Sequence, residues 1–236
     1  MWPAGPEGLR RAWTALRAGA AAGKALSGGA AAQAQSRPPC WSCGGAAAEE
    51  AGDAHALFCP TCRALQPPDP ARDYFRLMDC CRSFTVDIRK LQRRYQQLQN
   101  LVHPDHFSQR SQTERDFSEK HSTLVNEAYK TLLIPLSRGL YLLKLSGLVI
   151  PEGTDSEMDT QFLVEVMEVN EKLAEAQSEA AIEEVETLVK DKQKKLTEDV
   201  SRAFEQDDLQ KAKELLTKMR YFSNLEEKVK IKKIPS

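Results

Sequence analysis

The stretch "LQNLVHPDHFSQ", Leu98–Gln109, decides how the rest of the chain is interpreted. Before it, apolar residues recur every three or four positions, which is typical of one buried helix face: Ile88, Leu91, Tyr95, Leu98 and Val102. After it, a second helix shows the same spacing: Phe117, Leu124, Val125, Ala128 and Leu132. The residues from His103 to His106 are therefore predicted to form an exposed turn between two antiparallel helices.

The turn itself permits four interpretations. His103, Asp105 and His106 offer metal-ligand atoms, although Pro104 stiffens the backbone and three ligands so close in sequence rarely converge on one ion. General acid–base catalysis would need a pocket and an orienting group, and no nucleophile motif lies nearby. The turn could also be purely structural, or it could be a contact loop for a partner. The His-Pro-Asp sequence alone does not decide between these four interpretations.

Basic residues crowd the helix that precedes the turn. Arg89 and Arg93 are four residues apart, as are Lys90 and Arg94, so like charges stack on the predicted outer face. Each such pair costs a few tenths of a kcal/mol in an isolated helix. This arrangement favours an acidic partner, and a simple solvated face is the alternative.

Four cysteines form a strong metal-site pattern. Cys40 and Cys43 are two residues apart, as are Cys59 and Cys62, and fifteen residues separate the pairs. Two such turns can direct four sulfurs at one ion, and the spacing predicts a single structural Zn²⁺. A rubredoxin-like iron site stays open, because thiolates alone do not exclude iron. Four thiolate ligands would close the site, which disfavours catalytic zinc.

Composition divides the 236 residues into segments of different charge. Residues 71–150 hold 13 basic and 8 acidic side chains, whereas residues 156–236 hold 14 and 19. The predicted units are a leader and linker (1–37), a tetracysteine zinc module (38–64), one helical unit (72–147) and a bundle of three helices (156–233), with "QPPDP" (Gln66–Pro70) as a stiff spacer. No basic run alternates with aromatic residues and no apolar run is long enough for a bilayer, so neither nucleic acid nor membrane is expected as a partner.

The N-terminal leader is basic and poor in acids. It carries Glu7 as its one acid and five basic residues: Arg10, Arg11, Arg17, Lys24 and Arg37. An amphipathic, arginine-bearing leader of this kind indicates a mitochondrial transit peptide. A featureless Ala/Gly tail is the alternative.

The first helix of the predicted bundle carries too wide an apolar arc for one core contact. At 100° per residue, the core stripe consists of Phe162, Val166, Val169 and Leu173. Leu163 and Met167 lie roughly a quarter-turn away. Val164 lies further round, beside Glu168 and Glu175. Apolar residues fringed by acids indicate a docking face, unless they pack against a neighbouring helix or unit.

Several motifs together resemble a known family. "HPD" between two amphipathic helices, with "DYF" (Asp73–Phe75) before it and "NEAYKTL" (Asn126–Leu132) after it, resembles a J-domain over residues 72–147. The segments "PLSRGLYLLKLSG", "FLVEVMEVNEKLAEA" and "KMRYF" extend the likeness to the mitochondrial J-type co-chaperones of iron–sulfur cluster assembly, the HscB-like family. The tetracysteine module is similar to that of the animal form.

The resemblance implies an all-α fold, with a J-domain helical hairpin, a C-terminal three-helix bundle and a small N-terminal zinc-binding module. It implies a co-chaperone that is not itself an enzyme. Such a protein binds the cluster scaffold protein, delivers it to a DnaK-class mitochondrial chaperone and stimulates that chaperone's ATPase, which promotes cluster transfer. The implied location is the mitochondrial matrix, and the resemblance is also compatible with a cytosolic pool. It is compatible with self-association of the chain as well. A general chaperone adaptor and a zinc or thiol enzyme are the competing readings.

The resemblance also assigns residues. Asp105 would engage an arginine of the ATPase domain, His103 and Pro104 would fix the turn, and the basic helix would attract the chaperone. The implied scaffold-binding set is Leu163, Val164, Met167, Glu168, Glu175, Arg220 and Tyr221. Ala174 departs from the family pattern, because bacterial relatives carry an acid there, and this weakens the expected charge contribution.

Overall fold

The computed structural model describes residues 38–46, 57–150 and 159–233. These ranges contain seven α-helices: α1 (Tyr74–Leu77), α2 (Ile88–Val102), α3 (Gln112–Leu133), α4 (Pro135–Leu145), α5 (Thr160–Glu175), α6 (Glu179–Glu205) and α7 (Leu209–Lys232). An isolated bridge between Phe58 and Leu65 is the only β pairing among the described residues. The all-α prediction is confirmed. The predicted transit peptide lies outside the described residues.

The α2–α3 hairpin follows from local capping and a shared apolar stripe. Asp87 is the N-cap residue of α2: its carboxylate accepts hydrogen bonds from the backbone N–H groups of Arg89 and Lys90 at 2.9 and 3.0 Å. Six predicted stripe residues are fully buried: Leu91, Leu98, Val102, Val125, Ala128 and Leu132. Ile88 was expected on the buried face and is 41% exposed. Ile88 is the first residue of α2. At the end of a helix, the three-to-four spacing of apolar residues does not ensure that another element packs against the side chain.

Helix α4 joins the hairpin to the bundle. The sequence favours a helix start at Pro135 and a stop at Gly147, and the structure confirms both: α4 begins at Pro135, and Gly147 follows it with a φ of 79°. Hairpin residues share one continuous core with residues from α6 and α7: Val200, Ala203, Ala212, Leu215 and Leu216. Phe84 also stacks on Phe204, with ring centroids 5.5 Å apart. The two helical units therefore pack directly against each other.

Helices α4 and α7 approach each other closely at Gly139. A Cβ atom added to Gly139 would lie 2.5 Å from Cδ2 of Leu216, well inside van der Waals contact. We expect Gly139→Ala to destabilise the fold by about 1–3 kcal/mol, because packed cores absorb extra atoms poorly. Urea unfolding measures the change. Lys144→Ala on the exposed side of α4 is the control and should stay within about 0.5 kcal/mol.

Helices α5, α6 and α7 form the three-helix bundle that the sequence predicts. Their core is a second apolar cluster that includes the four predicted stripe residues of α5: Phe162, Val166, Val169 and Leu173. Lys232 of α7 donates hydrogen bonds to the backbone carbonyls of Leu173 and Ala174, which closes the C-terminal end of α5. Within the described ranges, no helix has the length and apolar content needed to cross a membrane.

Candidate functional site

The four predicted metal ligands come together in the structure. The Sγ atoms of Cys40, Cys43, Cys59 and Cys62 all lie within 4.8 Å of one another. The Cys40–Cys62 and Cys43–Cys59 sulfur pairs are each 3.7 Å apart. A tetrahedral ion with metal–sulfur bonds of about 2.3 Å separates its ligand sulfurs by about 3.8 Å. The cluster therefore has the size and the donor set of a tetrathiolate metal site.

Backbone N–H groups around the cluster stabilise thiolates. The backbone N–H of Cys43 is the main cause that lowers the pKa of Cys40 to about 6, with a smaller contribution from Ser42. The backbone N–H of Gly45 donates to Cys43 Sγ at 3.4 Å. Gly44, whose φ is 69°, makes this turn possible. The peptide conformation thus favours the thiolate form of Cys40. At Cys43 the Gly45 N–H also lowers the pKa, but hydrogen bonds with the side chains of the other cysteines, Cys62 first, raise it to about 12.

The tetracysteine module is docked on α3 and is not held at a distance by its linker. Leu65 is fully buried, and its N–H donates to the Glu114 carboxylate at 3.4 Å. Trp41 Nε1 donates to the Leu65 carbonyl at 2.7 Å, and its ring meets the ring of Phe117 edge-on at 5.7 Å. His121 Nε2 lies 2.9 Å from the Gln66 carbonyl. Gln66 was assigned from the sequence to the spacer Gln66–Pro70. That assignment was wrong for Gln66, because this residue takes part in the contact between the module and α3.

The His-Pro-Asp turn is exposed and shaped by its own backbone. His103 ends α2, its N–H donating to the Gln99 carbonyl at 2.9 Å, and a single 3-10 turn, Pro104–Phe107, follows. The N–H of Asp105 donates to His103 Nδ1 at 3.3 Å. The Asp105 side chain is 85% exposed. Phe107, which the sequence did not single out, is buried and anchors the far end of the turn.

The basic face of α2 is smaller than the sequence predicts. Arg89, Lys90 and Arg93 are exposed, and Lys90 forms an ion pair with Asp79 at 3.1 Å. Arg94 is 8% exposed and lies on the inward stripe, three residues after Leu91. The prediction that Arg94 lies on the outer face was wrong. At 100° per residue, position 94 falls on the same side of the helix as Leu91, which faces the core.

The predicted docking face of α5 is partly exposed. Val164 and Met167 are 47% and 60% exposed, and both Glu168 and Glu175 face solvent. Leu163 was also predicted to lie on this docking face. It is half-exposed and packs against the bundle core, so only part of its side chain is available to a partner. From α7, Arg220 and Tyr221 are half-buried. The Tyr221 ring lies 5.6 Å from Phe162, which brings both helices to one surface.

Buried polar residues on α3 were missed from the sequence. Glu114, Ser118 and His121 are all buried, and Ser118 Oγ donates to the Val102 carbonyl at 2.7 Å. Burial lowers the pKa of His121, so its neutral form is favoured in the folded protein. Their spacing of four and three residues continues the apolar stripe of Val125, Ala128 and Leu132. This spacing indicates that the three positions are buried, although charged and polar side chains more often lie at the surface.

The helical hairpin with its exposed turn, the three-helix bundle and the tetrathiolate cluster define a J-type co-chaperone with an added metal-binding module. Residues 38–66 match the co-chaperone HscB tetracysteine metal binding motif, and residues 158–230 match the HSCB C-terminal oligomerisation domain. The human iron–sulfur cluster co-chaperone protein HscB is 66% identical over 236 residues, covering the whole of both chains. The chain belongs to the HscB family of iron–sulfur cluster co-chaperones.

More distant relatives and solved structures agree with this assignment. The Arabidopsis thaliana homologue is 32% identical over 190 residues, which are 80% of this chain and 72% of that protein. The crystal structure of human co-chaperone protein HscB matches with a TM-score of 0.79 at 72% identity, covering 84% of this chain and all of that one. Chaperone HscB from Vibrio cholerae matches with a TM-score of 0.62 at 29% identity, covering 67% and 96%.

Proposed function

We propose that this chain holds an iron–sulfur cluster scaffold protein on its C-terminal bundle and delivers it to a DnaK-class mitochondrial chaperone. The His-Pro-Asp turn then stimulates the ATPase of that chaperone, which promotes cluster transfer. One observation carries the proposal: two exposed contact surfaces lie on two helical units that pack directly against each other. The first is the turn, where the Asp105 side chain is 85% exposed, and the second is the α5 face, where Met167 is 60% exposed.

The turn suits a charge-based contact. An exposed carboxylate such as that of Asp105 can accept paired hydrogen bonds from an arginine of the ATPase domain. His103 and Pro104 restrict the backbone that presents it. Arg89, Lys90 and Arg93 add positive charge on the preceding helix, which attracts an acidic chaperone surface at long range. Salt screens this attraction, so association should slow as ionic strength rises.

The α5 face suits a protein partner with an apolar patch. Val164 and Met167 would supply the desolvated centre of the contact, and Leu163 would support them from the bundle side. Glu168 and Glu175 would form an acidic rim on the same helix. Arg220 and Tyr221 of α7 would extend the surface across the neighbouring helix. Long, adaptable methionine side chains are common at such surfaces.

We propose one structural Zn²⁺ per chain, held by Cys40, Cys43, Cys59 and Cys62. Zinc supplies a fixed tetrahedral cross-link and leaves no open position for chemistry. Elemental analysis of the purified chain should find about one zinc per molecule, and chelation should lower the thermal stability of the module. Iron in place of zinc would identify a rubredoxin-like site. Less than about half an equivalent of either metal would contradict the assignment.

The proposed role needs no catalysis in this chain and places it in the mitochondrial matrix. Capture experiments test it directly: the tagged chain should retain the cluster scaffold, and adding the chaperone with ATP should produce a three-component complex. Capture of the chaperone without the scaffold would favour a general adaptor. Capture of neither would contradict the proposal.

A further inference from the structure

We propose that the metal-loaded tetracysteine module acts as a brace that positions the His-Pro-Asp turn, and that Gln66, Glu114 and His121 carry its effect. This role goes beyond stabilising the module itself. Its functional half rests on the proposed stimulation of a chaperone ATPase by the turn. Its structural half, the order of the turn, can be measured without any partner.

The first link joins the metal ligands to α3. Gln66 donates a hydrogen bond from its side-chain Nε2 to Cys40 Sγ at 3.3 Å, and its backbone carbonyl accepts from His121 at 2.9 Å. Since a carbonyl can only accept, Nε2 of His121 carries the proton. His121 is 4% exposed and its Nδ1 has no hydrogen-bond partner, so the contact with Gln66 is the one polar contact the structure gives its ring. One residue thus touches both a metal ligand and a buried side chain of α3.

The second link joins α3 to both ends of the turn. Ser118, one helical turn before His121, donates to the carbonyl of Val102, the residue that precedes His103. Glu114 accepts from Leu65 N–H with one carboxylate oxygen and from Ser111 Oγ with the other, each at 3.4 Å. Ser111 in turn caps α3 just after the turn. The first half of α3 therefore holds the module on one side and both ends of the turn on the other.

The third link is apolar. Leu57 and Leu65 of the module belong to the same continuous core as Val102 and Phe107, which lie just before the turn and at its last residue. All four are 6% exposed or less. The segment that contains both leucines, residues 57–66, also contains Cys59 and Cys62. A metal that orders this segment would therefore order the packing under the turn, and its loss would loosen both.

Two perturbations of the full chain test the brace, with backbone hydrogen exchange as the partner-free readout. Chelation removes the metal from the wild type, and His121→Leu removes the donor to Gln66 while keeping the metal ligands. His121→Gln is the matched control, because its amide can still donate to the Gln66 carbonyl. We expect chelation and His121→Leu to speed exchange at residues 103–110 roughly threefold to tenfold, and His121→Gln to stay near wild type.

The chaperone assay completes the test. The metal-free chain and His121→Leu should both stimulate the ATPase less than wild type at saturating chain concentration, while zinc analysis shows His121→Leu still loaded.

If residues 57–66 exchange faster on chelation but residues 103–110 do not, the module is an independent appendage and the brace is overturned. If the turn loosens but stimulation by the metal-free chain is undiminished, its functional half is overturned. If even the wild type stimulates nothing, the proposed function fails while the exchange result still decides the structural half. Should His121→Leu lose protection throughout the core, the chelated wild type decides.

Discussion

Replacing His103 by glutamine is expected to abolish most of the chain's stimulation of a DnaK-class ATPase, by roughly tenfold or more. His103 Nδ1 accepts a hydrogen bond from the backbone N–H of Asp105, and this contact constrains the backbone that presents the exposed carboxylate. A flexible glutamine would hold that geometry poorly, and displacement of a contact group by about 1 Å has large effects on a rate. The measurement is steady-state ATP hydrolysis by the chaperone over a range of chain concentrations.

A neighbouring histidine provides the control for this substitution. His106 is exposed on the same 3-10 turn and has no assigned role, and it contributes its backbone N–H to the His103 carbonyl at 3.0 Å. His106→Gln keeps that backbone bond and should stimulate like wild type. Full stimulation by His103→Gln would contradict the proposed role of the turn. Equal loss in both variants would indicate general damage to the loop.

Replacing Val164 and Met167 together by serine is expected to weaken scaffold binding by at least about thirtyfold, or about 2 kcal/mol. These are the most exposed apolar side chains of the α5 face, and truncating the desolvated centre of an interface removes most of its energy. Because neither belongs to the bundle core, the fold should persist. Isothermal titration calorimetry measures the affinity, and circular dichroism checks the helices.

A second pair of substitutions separates this surface from general polarity changes. Thr187 and Glu183 lie on the exposed side of α6, where the Thr187 hydroxyl donates to the Glu183 backbone carbonyl. Thr187→Ser with Glu183→Gln should therefore leave scaffold affinity unchanged. Unchanged affinity in the Val164→Ser, Met167→Ser protein would remove the α5 face from the proposal. ATPase stimulation by that protein in the absence of scaffold should equal wild type, because the turn is untouched.

Much of the fold could be predicted because it follows from short-range patterns. The sequence predicts the three bundle helices at about 159–176, 179–205 and 207–232, within two residues of their observed ends, because capping residues and three-to-four spacing act locally. The four cysteines were found from spacing alone, and the structure brings their sulfurs together. The turn was placed between its helices because both flanking stripes were apolar and uninterrupted.

What the sequence left out depends on contacts between segments far apart in the chain. Arg94 looked like an outer-face cation, and only the packed hairpin shows it on the inward stripe. Glu114 and His121 were not singled out from the sequence, yet they are buried and in contact with Leu65 and Gln66, some fifty residues earlier. A polar residue is buried when a distant partner satisfies it, and no local pattern reveals that partner.

The most direct test of the central claim is one ATPase measurement with three mixtures: chaperone with scaffold, chaperone with this chain, and chaperone with both. If the chain presents the scaffold while its turn stimulates the chaperone, the rate with both should exceed the sum of the separate stimulations. A rate with both that only equals that sum would show that the two surfaces act independently. No stimulation by the chain in any mixture would contradict the account as a whole.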